Sequence, residues 1–142
     1  PDPLFNSLSI AKFINYILHN GKKGVSEKIF YEAMNIIKSK TKKDGTDIFD
    51  IAIKNASPLL EVKTRRIGGA NYQVPIEVPK NRQFFLASKW LISSAKARSG
   101  KSMSERLATE FISAANNEGG AIKKKEDVHR MAEANRAFAH FR

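Results

Sequence analysis

The chain has 142 residues, of which 42% are hydrophobic, and this is enough for a single globular domain with its own core. Its 25 Lys and Arg residues outweigh 14 Asp and Glu, and the net charge of +11 favours a polyanionic partner. The absence of cysteine excludes disulfides, thiolate metal sites and thiol nucleophiles, and no apolar run is long enough to span a membrane.

Three amphipathic helices are predicted before Pro58, over residues 8–20, 25–39 and 47–55. The spacing of apolar residues predicts which side chains of each helix face the core. In chain order these are Ile10, Phe13, Ile14 and Ile17, then Val25, Ile29, Ala33 and Ile36, then Phe49, Ala52, Ile53 and Ala56.

The segment LLEVKTRRIGGANYQVPIEVP, residues 59–79, has the alternation of two half-buried strands. Gly68 and Gly69 accept positive φ without a steric penalty, so the chain reverses there and forms a β-ribbon. An isolated ribbon is marginally stable, which predicts a packed base and a tip that is free to contact a partner. Lys63 and Arg65 share one face of this ribbon, and Arg66 points to the other.

Three further helices are predicted after the ribbon. The first covers residues 82–98, with Phe84, Ala87, Leu91 and Ala95 facing the core. Its opposite side carries a row of cations, Arg82, Lys89 and Lys96, for which we expect no local counter-charge because residues 80–101 contain no acid.

Ser102 and Glu105 form a capping box for the next helix. The last helix is predicted over residues 125–141, with a core face of Val128, Met131, Ala134 and Phe138. The predicted fold is therefore mainly α, a single domain over residues 1–142 of about six helices, with an extended two-stranded β-ribbon between the third and fourth.

The sequence offers little for an enzyme or a metal site. His129, Glu133, Arg136 and His140 fall on one predicted helix face, and the arginine and nearby lysines favour an ion-paired surface over a metal centre. The segment HNGKKG, residues 19–24, lacks the spacing of a phosphate-binding loop. We therefore expect no catalytic residue, no metal and no cofactor. Tyr72 and Trp90 are suited either to base stacking or, more commonly, to packing.

Several segments carry a family likeness: GKK at residues 21–23, LEVKTRRIGGANYQVPIEV at 60–78, LASKW at 86–90, KSMSERLA at 101–108 and KKKEDVHRMAEANRAFAHFR at 123–142. Together they resemble bacterial-type ribosomal protein seven of the small subunit, in order and over nearly the whole chain. Family members usually begin with a short basic arm that touches rRNA, and this sequence begins at Pro1.

The resemblance implies a structural constituent of the small ribosomal subunit that binds the 3′ major domain of the rRNA and helps to nucleate assembly of the head. It also implies a position beside the exit-site tRNA, the mRNA path and ribosomal protein eleven, with no membrane and no homo-oligomer. The residues expected to contact RNA are Lys12, Lys22, Lys23, Lys63, Arg65, Arg66, Gly68, Gly69, Lys80, Arg82, Lys89, Lys96, Arg98, Lys101, Lys123, Lys124, Lys125, Arg130 and Arg136.

The source and two other functions stay open at the level of sequence. Lysine outnumbers arginine, and Ile and Asn are abundant, which is typical of an AT-rich genome and favours a mitochondrial ribosome over a bacterial or plastid one. An architectural DNA-binding protein with a basic β-ribbon arm is the alternative function. A basic enzyme that acts on RNA is disfavoured because no catalytic set is recognisable.

Overall fold

The computed structural model describes residues 3–18, 23–99 and 101–141, with the backbone alone for residues 3–7. Within this part of the chain, six α-helices surround a core and a two-stranded ribbon lies between the third and fourth. The elements are α1 Pro3–Ile17, α2 Lys23–Thr41, α3 Gly45–Ala56, β1 Leu60–Ile67, β2 Ala70–Glu77, α4 Lys80–Ala97, α5 Met103–Ala115, α6 Gly120–Ala134 and a C-terminal 3₁₀ helix Arg136–Phe141. The predicted fold class is confirmed.

Four phenylalanines form the centre of the core. Phe13 of α1, Phe30 of α2, Phe49 of α3 and Phe111 of α5 are each at most 1% exposed. Their ring centroids lie 5.2–6.3 Å apart, mostly in edge-to-face geometry. Such ring pairs contribute about 0.5–1.5 kcal/mol each beyond the burial of their surface. This cluster joins four helices and holds the framework on which the ribbon and α4 are placed.

The predicted core face of α2 is confirmed for Ala33, which is fully buried, and for Ile29 and Ile36, which pack against the core. It is wrong for Val25, which is 54% exposed, and it missed Phe30 and Ile37, which are fully buried. The predicted core face of the last helix is wrong. In the last helix, Met131 is 52% exposed, and the buried residues are Ala121, Ile122 and Ala132. That helix begins earlier than predicted and ends at Ala134, so its pattern does not extend to Phe138.

The predicted faces of α1, α3 and α4 are confirmed. Ala87, Leu91 and Ala95 of α4 are fully buried, and Phe84 packs against the core. The capping box is also confirmed, because the hydroxyl of Ser102 accepts a hydrogen bond from the backbone N–H of Glu105 at 3.3 Å. Local sequence rules therefore describe these elements well.

A buried carboxylate in the middle of α5 joins the end of α4 to the start of α6. Glu110 of α5 is 1% exposed, and its Oε1 accepts a hydrogen bond from Nε of Arg98, the residue that follows α4, at 3.0 Å. Its Oε2 accepts from the backbone N–H of Ala121, in the first turn of α6, at 3.3 Å. Glu110 thus provides acceptors that the end of α4 and the start of α6 both use.

In the part of the chain that the structure describes, no helix combines the length and apolarity needed to cross a membrane.

Candidate nucleic-acid interface

The ribbon turns at two glycines in the left-handed region. Gly68 has φ +58° and Gly69 has φ +84°, and Ile67 pairs with Ala70 across them. This is the geometry of a two-residue hairpin loop, in which both positions require positive φ. An added Cβ at either glycine would meet no atom within 4 Å, so glycine is needed there for its backbone conformation and not for lack of space. Without side chains at these two positions, the tip of the ribbon is narrow.

The ribbon cations have the predicted arrangement. Lys63 pairs with Val74 and Arg65 with Tyr72, so these two cations share a face, while Arg66 pairs with Asn71 on the other. All three cations are exposed, as are residues 67–71 at the tip. The base is packed, because Val74 and Val78 are at most 5% exposed. A long cationic edge therefore projects from a buried root.

The ribbon is covered farther toward its tip than the sequence indicates. Tyr72 packs against Phe138 and Phe141 of the C-terminal 3₁₀ helix, with centroid separations of 5.2 and 4.9 Å. The backbone N–H of Leu59, just before β1, donates to Nε2 of His129 at 2.9 Å. The far end of the chain therefore holds one face of the ribbon, and the role of Tyr72 is packing.

His129 belongs to this anchor rather than to a metal-binding face. Burial, with a smaller contribution from Lys125, lowers the pKa of His129 and keeps its Nε2 available as an acceptor. Because α6 ends at Ala134, the predicted row through His140 is interrupted, and His140 instead lies against Phe141 with centroids 4.0 Å apart. Among the described residues, no three metal-ligating side chains come together.

Three adjoining depressions follow one another from the root of the ribbon along the junction of α1 and α4, and together we call them the α1–α4 groove. Their volumes are about 520, 380 and 340 Å³. Arg82 lines the first two, and Tyr16 and Phe85 line the last two, so the depressions share walls. The cations that line the groove are Lys63, Arg82, Lys12, Lys89 and Lys96.

The expectation that the α4 row has no counter-charge is wrong for Arg82. Its Nε and Nη2 donate to the two carboxylate oxygens of Glu61 on β1, at 2.6 and 3.0 Å. This hydrogen bonding raises the pKa of Arg82, and the forked geometry ties α4 to the root of the ribbon. Glu61 lies 21 positions earlier, so inspection of α4 alone could not find it. Lys89 and Lys96 lie on the exposed side of α4, as predicted.

Other predicted RNA-binding cations have partners inside the protein. These pairs are Arg98–Glu110, Lys101–Glu105, Arg130–Asp127 and Arg136–Glu133. The first is partly buried and structural, while the other three lie on the surface and leave the cation accessible.

The remaining predicted cations lie outside the α1–α4 groove. Lys23 lines a separate depression with Ile10 and Tyr31, and Lys80 is exposed at the first position of α4. Lys123, Lys124 and Lys125 lie in the N-terminal half of α6, the first two exposed and the third half-buried. Lys22 falls outside the described residues.

The structure also assigns positions that sequence reasoning missed or left open. Trp90 packs against the core, which gives it a packing role. Arg106, absent from the predicted set, donates from Nη1 to the carbonyls of Lys96 and Arg98 at 3.1 and 3.0 Å and caps the end of α4. Phe85 lies in the groove beside the lysines. In the sequence it directly precedes the segment LASKW, which carries part of the family likeness, and that position is the signal that could have pointed to it.

Comparisons with known proteins agree on one family. The family model described as "Ribosomal protein S7p/S5e" matches residues 1–136. A protein of Natranaerobius thermophilus named "Small ribosomal subunit protein uS7" is 54% identical over 142 residues, covering 100% of this chain and 91% of that protein. Proteins with the same name from Moorella thermoacetica and Solibacter usitatus are each 56% identical, covering 99% and 100% of this chain and 90% and 91% of their own lengths.

These relatives are bacterial and carry a ribosomal name, so they give no support to the DNA-binding alternative. The ribosomal likeness read from the ribbon and the C-terminal segment is confirmed, because the family model covers the ribbon and reaches residue 136, and the relatives from Natranaerobius thermophilus and Solibacter usitatus align over all 142 residues. The chain therefore belongs to the ribosomal protein S7p/S5e family.

Proposed function

We propose that this protein is a structural constituent of the small ribosomal subunit and binds rRNA through the exposed edge of the ribbon and the α1–α4 groove. The observation that carries the proposal is the row of three adjoining depressions, which five cations line from Lys63 to Lys96. The printed name of the relatives supports the small subunit as the assembly.

The geometry suits RNA recognised by shape. Double-helical RNA hides its base edges in a deep, narrow groove, so proteins contact its phosphates and 2′-hydroxyls. Lys63 and Arg65 are exposed on the face of the ribbon whose Tyr72 packs against the C-terminal 3₁₀ helix, and Arg66 is exposed on the other face, so RNA can meet cations on both sides of the ribbon. The narrow turn at Gly68 and Gly69 allows close approach of the backbone. Arg82 contributes mainly by holding the ribbon against α4.

The predicted cations outside the groove are proposed as peripheral contacts. Lys12, Lys89 and Lys96 line the groove itself, whereas Lys101, Arg130 and the α6 lysines would meet RNA beyond its ends. Arg98 would act indirectly, because its guanidinium is committed to the buried Glu110.

The finer partners rest on the family resemblance. They are the 3′ major domain of the rRNA, exit-site tRNA and mRNA near the ribbon tip, and ribosomal protein eleven. The lysine-rich composition favours a mitochondrial ribosome, although the relatives compared above are bacterial. Fractionation of the source cell, with this chain followed among mitochondrial and other small subunits, tests the compartment.

The salt dependence of binding tests the groove. Each phosphate contact contributes about 0.7–0.9 to the slope of log affinity against log salt, so Lys89→Gln with Lys96→Gln should reduce that slope by about 1.4–1.8. The matched control is Lys38→Gln with Lys40→Gln, two exposed lysines at the end of α2. The probe is a transcript of the rRNA 3′ major domain, measured by filter binding from 50 to 200 mM salt.

Duplex DNA of equal charge serves as the competitor in the same assay. We expect rRNA to be preferred at every salt concentration. Equal slopes for both double variants would remove the groove from the interface, and a preference for the duplex DNA would restore the architectural alternative.

A further inference from the structure

Phe85 is a half-buried aromatic residue that the core does not use. Its neighbour Phe84 packs against the core, whereas Phe85 lines the groove on the outer side of α4. Tyr16 of α1 meets Phe85 edge to face, with centroids 5.4 Å apart. An aromatic ring that lines an open groove is available to a ligand.

The groove around Phe85 combines an apolar wall with a cationic rim. The depression of about 340 Å³ is lined by Tyr16, Phe85 and Ile92 on the apolar side, and by Lys89, Ser93 and Lys96 at its edge. Nζ of Lys89 lies 5.7 Å from the centroid of Phe85, near the outer limit of about 6 Å for a cation–π contact. The exposed Lys89 side chain can therefore rotate away at little cost when another group approaches the ring.

We propose that this depression takes one unpaired nucleotide of RNA, with its base against Phe85 and Tyr16 and its phosphates beside Lys89 and Lys96. The inference rests on the proposed function and goes beyond it by assigning a stacking site. An aromatic face accepts any base, and flanking cations suit the backbone on either side of it. The cationic rim disfavours an apolar protein segment as the occupant. A paired base cannot enter, because its faces are covered by neighbouring bases.

The test uses two RNA probes of equal length that contain the fluorescent base analogue aminopurine. In the first the analogue is unpaired in a single strand, and in the second it is paired within a duplex. The wild-type protein should quench the first and leave the second nearly unchanged. Phe85→Leu keeps an apolar side chain and removes the aromatic face. It should abolish the quenching and weaken single-strand binding roughly 5- to 150-fold, which is the effect of losing one stacked base.

Two further variants separate stacking from general damage. Tyr31→Leu removes an aromatic side chain that is 52% exposed on α2, outside this depression, and should leave quenching and affinity unchanged. Ser93→Leu fills the edge of the depression without altering charge, and it should reduce quenching even though Phe85 is intact.

The outcomes distinguish this inference from the proposed function. Normal binding of the rRNA transcript by Phe85→Leu, with quenching preserved, would overturn the stacking site and leave the rRNA-binding proposal intact. If Phe85→Leu lost binding to a protein partner while its RNA binding stayed unchanged, the occupant of the groove would be a protein, and the stacking site would be overturned. Failure of the wild type to bind the transcript at all would overturn both proposals. Loss of quenching in Phe85→Leu and Ser93→Leu, but not in Tyr31→Leu, establishes the site.

Discussion

Removal of the Glu110 carboxylate should destabilise the protein far more than removal of a surface acid. Glu110→Ala takes away the acceptor for Arg98 and leaves the backbone N–H of Ala121 without its partner. Breaking a buried ion pair costs roughly 3–5 kcal/mol, and a stranded N–H about 1–3 kcal/mol. Arg98 is 35% exposed and regains water when the pair is lost, so the lower end of these ranges applies. We expect a loss of about 3 kcal/mol in the free energy of unfolding.

Glu110→Gln keeps the volume and one carbonyl oxygen for the Ala121 N–H. Its NH2 group then faces Nε of Arg98, where a donor cannot replace the carboxylate acceptor, so the charged hydrogen bond to Arg98 is lost and we expect about 2 kcal/mol. The control is Glu133→Ala, whose pair with Arg136 has a similar N–O distance of 3.0 Å but exposes 68% of the Glu133 side chain. Such a surface pair contributes about 0–1 kcal/mol.

Urea denaturation followed by circular dichroism measures all three variants, and thermal melting supplies a second measure. A loss of about 3 kcal/mol lowers the melting temperature of a chain of this size by about 6–12 °C. If Glu110→Ala lay within 0.5 kcal/mol of the wild type, or lost no more than Glu133→Ala, the carboxylate would not join the helix ends as described.

Two further predictions concern the core and the anchor of the ribbon. Leu91→Ala, at a fully buried position of α4, should cost about 2–5 kcal/mol of stability in urea denaturation. Lys89→Gln, on the opposite face of α4, should change the free energy of unfolding by less than about 0.5 kcal/mol. Equal effects of the two changes would mean that the faces of α4 are misassigned. The pKa of His129 is lower in the folded protein than its ordinary value of 6.5, so its contribution to stability is present above that pH and declines as the pH falls below it. Urea titrations from pH 7.5 to 5 should therefore show a steeper loss in the wild type than in His129→Gln, and parallel curves would contradict the role of His129 as a neutral acceptor for Leu59.

The ribbon and the buried faces of α1, α3 and α4 could be predicted because their causes are local. The turn at Gly68 and Gly69 follows from a positive φ that glycine adopts without strain. The buried face of α4 follows from the spacing of Ala87, Leu91 and Ala95. These features need no knowledge of what lies across the core.

The contacts that sequence reasoning missed join residues far apart in the chain. Arg82 meets Glu61 only because the root of the ribbon folds back onto α4, and Leu59 meets His129 across 70 positions. The burial of Phe30 in α2 was missed for a related reason, since Phe30 is drawn into a cluster with residues of three other helices. Periodicity describes one helix at a time and cannot choose between neighbouring apolar residues when a partner helix decides.

The aromatic contact between Tyr72 and the C-terminal 3₁₀ helix means that, during synthesis, the ribbon completes its packing later than the helical core. Tyr72 precedes Phe141 by 69 positions, so at 5–20 residues per second the ribbon waits roughly 3–14 s for its covering side chains. A two-stranded ribbon is marginally stable alone, and the strands consolidate only after the last residues have emerged. The helical core, whose four phenylalanines are all present by Phe111, can close earlier. The cationic edge of the ribbon is therefore the last part of the molecule to mature, and a chain truncated before Phe138 would have a folded helical core with a poorly ordered ribbon.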